Sequence, residues 1–235
     1  MKRVVIFFIL FSISFNILPQ NEKELTEKAL KLYSKGKVEK AIEIFTQILS
    51  KNPQNCNVLF YRANAYYDLE KFEEALNDYN KLIELDNKYP DAHLNRGNLY
   101  YDLKRYNDAI NDFIEEEKLN PSDYLIYYNR GNAYFKIEKY NEAIVDLKKS
   151  IELKSDFADG YYDLGNIYFY LENYNEAIKC YTKAININNN ITDYYYNRAI
   201  SYFKIGEFEK GCGDLNIVVK KEKGTSQQLY IEICK

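Results

Sequence analysis

The 235-residue chain has no tryptophan, a single methionine and a single histidine, His93. One histidine leaves little for metal centres or imidazole-based acid–base catalysis. Charge of one sign is also missing: 32 basic residues stand against 35 acidic ones, so no cationic surplus seeks a polyanion. A nucleic-acid partner is therefore not expected. Only 4 prolines and 9 glycines interrupt the chain, which argues against a turn-rich β architecture and for helices. What the sequence does have is tyrosine, 25 of them beside 13 phenylalanines. With 46% apolar residues it has enough to bury a core.

Lys2 and Arg3 precede a largely apolar run from Val4 to Phe15 that continues to Leu18. A basic start followed by a short apolar stretch reads as a secretory signal over residues 1–20, cleaved or retained as a signal-anchor. The run is short for a spanning helix, which needs roughly 20 apolar residues. The expectation is export, to the periplasm, the envelope or the medium, with membrane contact only through an uncleaved N-terminus.

Ala41, Ala75, Ala109, Ala143, Ala177 and Gly211 recur at a constant spacing of 34 residues. Placing them at the twentieth position divides residues 21–225 into six units: 22–55, 56–89, 90–123, 124–157, 158–191 and 192–225. Other columns follow. Position eight is small (Ala29, Ala63, Gly97, Gly131, Gly165, Ala199), and position eleven is Leu32 and then Tyr66, Tyr100, Tyr134, Tyr168 and Tyr202. Position twenty-four is bulky: Phe45, Tyr79, Phe113, Leu147, Tyr181, Leu215. Within a unit the apolar residues follow two helical stripes, for example Leu59, Ala63 and Tyr66, then Phe72, Ala75, Leu76, Tyr79, Leu82 and Ile83. One such pair of helices cannot bury its stripe alone, so neighbouring units must stack.

Small-x-x-Tyr, then Ala-x-x-x-Phe/Tyr, with Pro53 and Pro121 closing their units, resembles the tetratricopeptide repeat. The resemblance implies an all-α fold, a right-handed α-solenoid of stacked antiparallel helix pairs, and a non-enzymatic scaffold for protein–protein interaction. It departs from the family at position four, where Leu25, Leu59, His93, Tyr127, Tyr161 and Tyr195 replace the usual Trp. Glu116 and Glu117 stand where other units carry mainly apolar or small residues, which predicts a looser junction after the third unit.

Position seven is Arg62, Arg96, Arg130 and Arg198, and position twenty-three is Asp78, Asp112, Asp146 and Asp214, in the same four units. The fifth unit has neither, reading Leu164 and Cys180. Two residue types that appear and vanish together predict an ion pair joining the helices of a unit, since either alone would strand a half-buried charge. The other reading is an arginine row for an anionic ligand.

The first helices of a stacked array line its concave face. Their outward positions carry Asn64, Asn98, Asn132 and Asn166, with Asn95 and Asn129 beside them, and the aromatics Tyr67, Tyr101, Tyr128 and Tyr162. Amides offer donor and acceptor to the backbone of an extended peptide whatever its sequence, and tyrosines add apolar area with a polar tip. That is a peptide-binding groove; the alternative is that the same asparagines only satisfy neighbouring helices. Groove positions two and thirteen carry Asp91, Asp159, Asp193, Asp68 and Asp102 against Lys136 and Lys204, so a neutral or basic segment fits better than an acidic tail. A structural part in an envelope assembly, or glycan binding, are the rival functions. No nucleophile–base pair, phosphate loop or metal cluster is seen, so neither an enzyme nor a cofactor or metal is expected. Self-association is not legible.

Residues 226–235 read as a short capping helix over the end of the stack. Cys212 lies on the surface this cap would cover, so a Cys212–Cys234 disulfide is one reading and two free buried thiols the other.

Overall fold

A computed structural model describes residues 20–221 and 225–234. The proposed signal sequence falls on residues 1–20 and so lies almost wholly outside the described residues. The described residues form thirteen α-helices and no strand. The chain divides into two compact units at Tyr89/Pro90.

The first unit holds α1 (Gln20–Ser34), α2 (Val38–Lys51), α3 (Cys56–Asp68) and α4 (Phe72–Leu85). Each helix packs on the next, α1 on α2, α2 on α3, α3 on α4. The second unit holds α5 (Ala92–Asp102), α6 (Tyr106–Leu119), α7 (Tyr124–Lys136), α8 (Tyr140–Leu153), α9 (Ala158–Tyr170), α10 (Tyr174–Ile187), α11 (Thr192–Lys204), α12 (Phe208–Lys221) and α13 (Thr225–Cys234). It repeats the same nearest-neighbour packing from α5 to α13. Each unit is thus a stack of helix pairs, the α-solenoid architecture.

One turn closes every pair. Lys71 N–H donates to Tyr66 C=O (2.9 Å) and Glu70 N–H to Tyr67 C=O (2.9 Å), the two bonds of a Schellman motif. The same two bonds recur at Lys37 and Gly36, Arg105 and Lys104, Lys139 and Glu138, Asn173 and Glu172, and Glu207 and Gly206. The residue between them takes left-handed backbone geometry, φ 72° at Gly36 and 79° at Gly206, but 58–62° at Glu70, Lys104, Glu138 and Glu172. Only glycine adopts that region without steric cost.

Between paired helices the small and bulky columns interlock. Phe45, Tyr79, Phe113, Leu147, Tyr181 and Leu215 are all at most 1% exposed. Each contributes roughly 1.5–3 kcal/mol of burial. Gly97 lies so close to Phe113 that a Cβ there would come within 2.6 Å of Cε1, and Gly165 faces Tyr181 at 2.7 Å in the same way.

Glu116 and Glu117 do not loosen the α6–α7 junction. Glu116 is buried and its Oε2 accepts from Leu94 N–H (3.2 Å), satisfying an orphan donor in the first turn of α5. Asp91, which precedes that helix at φ 60°, makes no side-chain cap. Glu117 reaches forward to the guanidinium of Arg130 on α7. Both acids are absorbed by donors that their own helix stripe does not reveal, and the chain divides instead at Pro90.

Candidate peptide-binding groove

Four arginines on the first helices meet four aspartates on the second. Arg62 Nε and Nη2 each lie 2.7 Å from Asp78, and Arg96 makes the same fork on Asp112 at 2.8 and 2.7 Å. Arg130 holds Asp146 at 2.7 and 2.9 Å, and Arg198 holds Asp214 at 2.7 and 2.8 Å. In all four the fork of the guanidinium is taken up by the aspartate of the paired helix. The remaining nitrogen does further work: Nη1 of Arg62 donates to Thr46 Oγ1 (3.1 Å) and Nη1 of Arg198 to Thr182 Oγ1 (2.9 Å), each on the preceding helix pair. Burial opposes the Arg130 charge, but Asp146 and Glu117 outweigh it and hold the guanidinium more firmly protonated than usual. His93 shares this system, its Nδ1 3.2 Å from Asp112 Oδ1 in a buried position. Where the column is interrupted, Leu164 and Cys180 are buried and apolar, and burial pushes the Cys180 thiol up to about 12.

The opposite face of the first helices carries the amides. In the first unit, the Tyr79 hydroxyl donates to Asn64 Oδ1 and Tyr67 packs on Phe72 with ring centres 5.9 Å apart. In the second unit a cleft of 490 Å³ opens across α5, α7 and α9. It is lined by Tyr101, Tyr128, Asn129, Asn132, Phe135, Lys136, Asp163, Asn166 and Ile167. The helical repeat of about 3.6 residues puts Tyr128, Asn132 and Phe135 on one stripe of α7, with Asn129 beside them.

A ladder of hydrogen bonds links these helices. Asn129 Nδ2 donates to Asn98 Oδ1 (2.8 Å) and Asn132 Nδ2 to Asp163 Oδ2 (3.3 Å). Asn197 Nδ2 donates to Asn166 Oδ1 (3.1 Å) and to the Tyr162 hydroxyl (3.0 Å), and the Tyr181 hydroxyl donates to Asn166 Oδ1 (2.9 Å). Tyr162 is further braced by the Tyr194 ring at 4.9 Å. Asn95 is half-buried on α5. So the asparagines do satisfy neighbouring helices: Asn129 and Asn132 each donate through Nδ2 to a neighbouring first helix, and both line the cleft.

Asp163 was not among the residues singled out from sequence. It occupies the column that reads Glu27, Tyr61, Asn95, Asn129 and Asn197 in the other units, and an acid between Asn129 and Asn197 was the available signal. Burial raises its carboxyl above the usual range and Asp159 adds to this, while hydrogen bonds from Tyr128, Asn132 and Asn166 work the other way. Burial, Tyr106 and then Asp163 push Tyr101 up to about 12, so its hydroxyl stays a donor.

Cys212 on α12 and Cys234 on α13 are joined as a disulfide, with Cα atoms 5.6 Å apart. Cys56 and Cys180 are free. Among the described residues no cluster of His, Cys, Asp and Glu could hold a metal ion, and no helix is long and apolar enough to cross a membrane.

A sequence profile described as TPR repeat matches residues 63–104, 97–138, 131–170 and 165–206, together more than half of the chain. Among curated proteins none matches. Solved structures do: a tetratricopeptide repeat protein from Parabacteroides merdae is 25% identical with a TM-score of 0.75, covering 88% of this chain and 82% of that one. MamA is 27% identical with a TM-score of 0.66, covering 68% of this chain and 94% of its own. YrrB, a TPR protein with an unusual peptide-binding site, shares the fold at 21% identity and a TM-score of 0.67, over 80% of this chain and 97% of that one. With the repeat profile over most of its helices and this packing of small against bulky columns, the chain belongs to the tetratricopeptide repeat family.

Proposed function

We propose that this protein is an exported, non-enzymatic scaffold of six tetratricopeptide units that binds an extended, neutral or basic peptide segment along the first helices of its second compact unit. The observation that carries the reading is the cleft between α5, α7 and α9, which Asn129 and Asn132 line beside three aromatic rings. A peptide backbone N–H donates to an asparagine carbonyl without regard to side-chain identity, while Tyr101, Tyr128 and Phe135 supply apolar area at little entropic cost. Export rests on the basic and apolar N-terminal residues Lys2 to Leu18. The Arg–Asp forks are structural ties, and the Cys212–Cys234 bridge belongs in an oxidising compartment. MamA and YrrB enter only as repeat proteins of the same fold; YrrB's peptide-binding site is the kind of use proposed for this cleft.

The test is affinity capture from an envelope fraction with the full chain and with Asn129→Ala/Asn132→Ala, both shown folded by circular dichroism. A partner held by the parent and lost by the variant supports the groove. A partner held equally by both moves the binding to other surfaces and overturns the proposal.

A further inference from the structure

Asp78, Asp112, Asp146 and Asp214 are buried, and each receives an arginine fork. Asp163 is also held by hydrogen bonds, but its donors are neutral: the Tyr128 hydroxyl, Asn132 Nδ2 at 3.3 Å and the Asn166 amide. Among the described residues no cation pairs with it. Desolvation and the neighbouring charge of Asp159 both disfavour its ionised form. A carboxylate oriented by several donors, set in low-dielectric surroundings and given no counter-ion, is a preformed acceptor for a cation brought by something else.

Its surroundings suit a particular cation. Asp163 lies in the wall of the 490 Å³ cleft together with the rings of Tyr101, Tyr128 and Phe135. Aromatic walls accept the methylene stem of lysine or arginine and attract its charged head over their faces. Lys136, at the exposed rim, is the one like charge among the residues lining the same cleft that such a cation would meet.

We infer that this cleft is a specificity pocket for one lysine or arginine side chain of the bound segment, with Asp163 as its counter-charge. The inference rests on the groove reading above and narrows it from a neutral or basic segment to one with an isolated basic residue at a fixed position. Asp163 would act there as a contact residue, and Tyr128, Asn132 and Asn166 as the groups that position it.

The experiment pans a random decapeptide library on the full chain and measures the enriched peptides by fluorescence anisotropy. They are expected to share a basic residue at one position. Replacing that residue by methionine should weaken binding to the parent roughly tenfold or more, as for loss of a desolvated charge pair. The Asp163→Asn variant, nearly isosteric and checked for folding by circular dichroism, should bind the basic and the methionine peptides about equally. Asp102→Asn, which removes an exposed charge from the same face, should retain the parent's preference. Enriched peptides with no fixed basic residue, or a preference undiminished by Asp163→Asn, would overturn this inference alone, provided that binding still depends on Asn129 and Asn132. Peptides indifferent to Asn129→Ala/Asn132→Ala, or no enrichment at all, would overturn the groove reading with it.

Discussion

Replacing Arg130 by leucine tests what the Arg–Asp column does. The Arg130 side chain is 9% exposed and Asp146 8%, so the fork is almost dry. Taking away the guanidinium leaves the Asp146 carboxylate buried without its two donors, a loss of about 3–5 kcal/mol by analogy with other broken buried pairs. Glu117, the third partner, is 35% exposed and can turn to water, so its share is small. The chain supplies the control. In α9 and α10 the equivalent positions are Leu164 and Cys180, 3% and 8% exposed and packed as apolar neighbours. The double change Arg130→Leu/Asp146→Cys copies them, and a buried pair replaced by apolar residues of fitting volume is often neutral or stabilising. The double variant is therefore expected within about 1 kcal/mol of the parent, giving a coupling of at least about 2 kcal/mol between the two sites. Urea unfolding followed by far-ultraviolet circular dichroism at neutral pH reads all four proteins. In thermal scans each kcal/mol is about 2–4 °C for a chain of this size. The reasoning fails if Arg130→Leu alone costs less than about 1 kcal/mol, or if the double variant loses the sum of the singles.

Three further outcomes are expected. Titrating the denatured, non-reduced protein should find two thiols, Cys56 and Cys180; reducing the Cys212–Cys234 bridge, which spans a separation of 22 residues, should lower the stability of the C-terminal helix pair by about 3 kcal/mol, read by hydrogen exchange. Four thiols before reduction would remove the bridge from the account. Gly97→Ala should destabilise by about 1–2 kcal/mol, because its Cβ meets the buried Phe113 ring at 2.6 Å. Gly131→Ala, whose Cβ meets Leu147 Cγ at 3.1 Å, should come out near neutral as helix propensity offsets the crowding, and equal melting temperatures for the two would contradict this. Because burial raises the Asp163 carboxyl, the native state binds its proton more tightly than the unfolded chain, and stability falls as pH rises through the native pKa. Asp163→Asn should therefore melt above the parent at neutral pH, with the advantage shrinking on acidification; a constant difference across pH would refute the assignment.

The chain is its own alignment, and that decides how much of it can be read. A column tested six times shows that position eight must be small and position twenty-four bulky, and the joint absence of Arg and Asp from the Leu164/Cys180 unit points to their pairing before any coordinate does. What the columns hide is anything that crosses them. The hydroxyls of Thr46 and Thr182, which take the third nitrogen of Arg62 and Arg198, share position twenty-five of the preceding unit, 16 residues before each arginine, but nothing within a unit's own pattern ties that column to the next unit's arginine. Glu116 and Glu117 look like faults on an apolar stripe until Leu94 N–H and Arg130 are seen to receive them. Asp163 looks like one more surface acid, because burial of a single side chain in a cleft wall depends on three helices at once. The left-handed geometry of Glu70, Lys104, Glu138 and Glu172 is illegible for a different reason: neither glutamate nor lysine favours it, and the backbone bonds of the turn impose it.

Those turns bear on how such a chain can change over generations. Both bonds of each turn run between backbone atoms, so the residue at its left-handed position is free to drift while the connection keeps its shape. At Gly36 and Gly206 the conformation is adopted without strain; at the four turns between them a side chain is tolerated at a cost of about 1 kcal/mol apiece. Mutation to glycine at any of the four would recover part of that, less the entropy glycine adds to the unfolded chain. The protein thus keeps stability within a single mutation's reach at turn positions that do not themselves line its cleft. A lineage with that slack can accept a destabilising acid such as Asp163 where recognition demands one, and restore the loss elsewhere without touching the binding face.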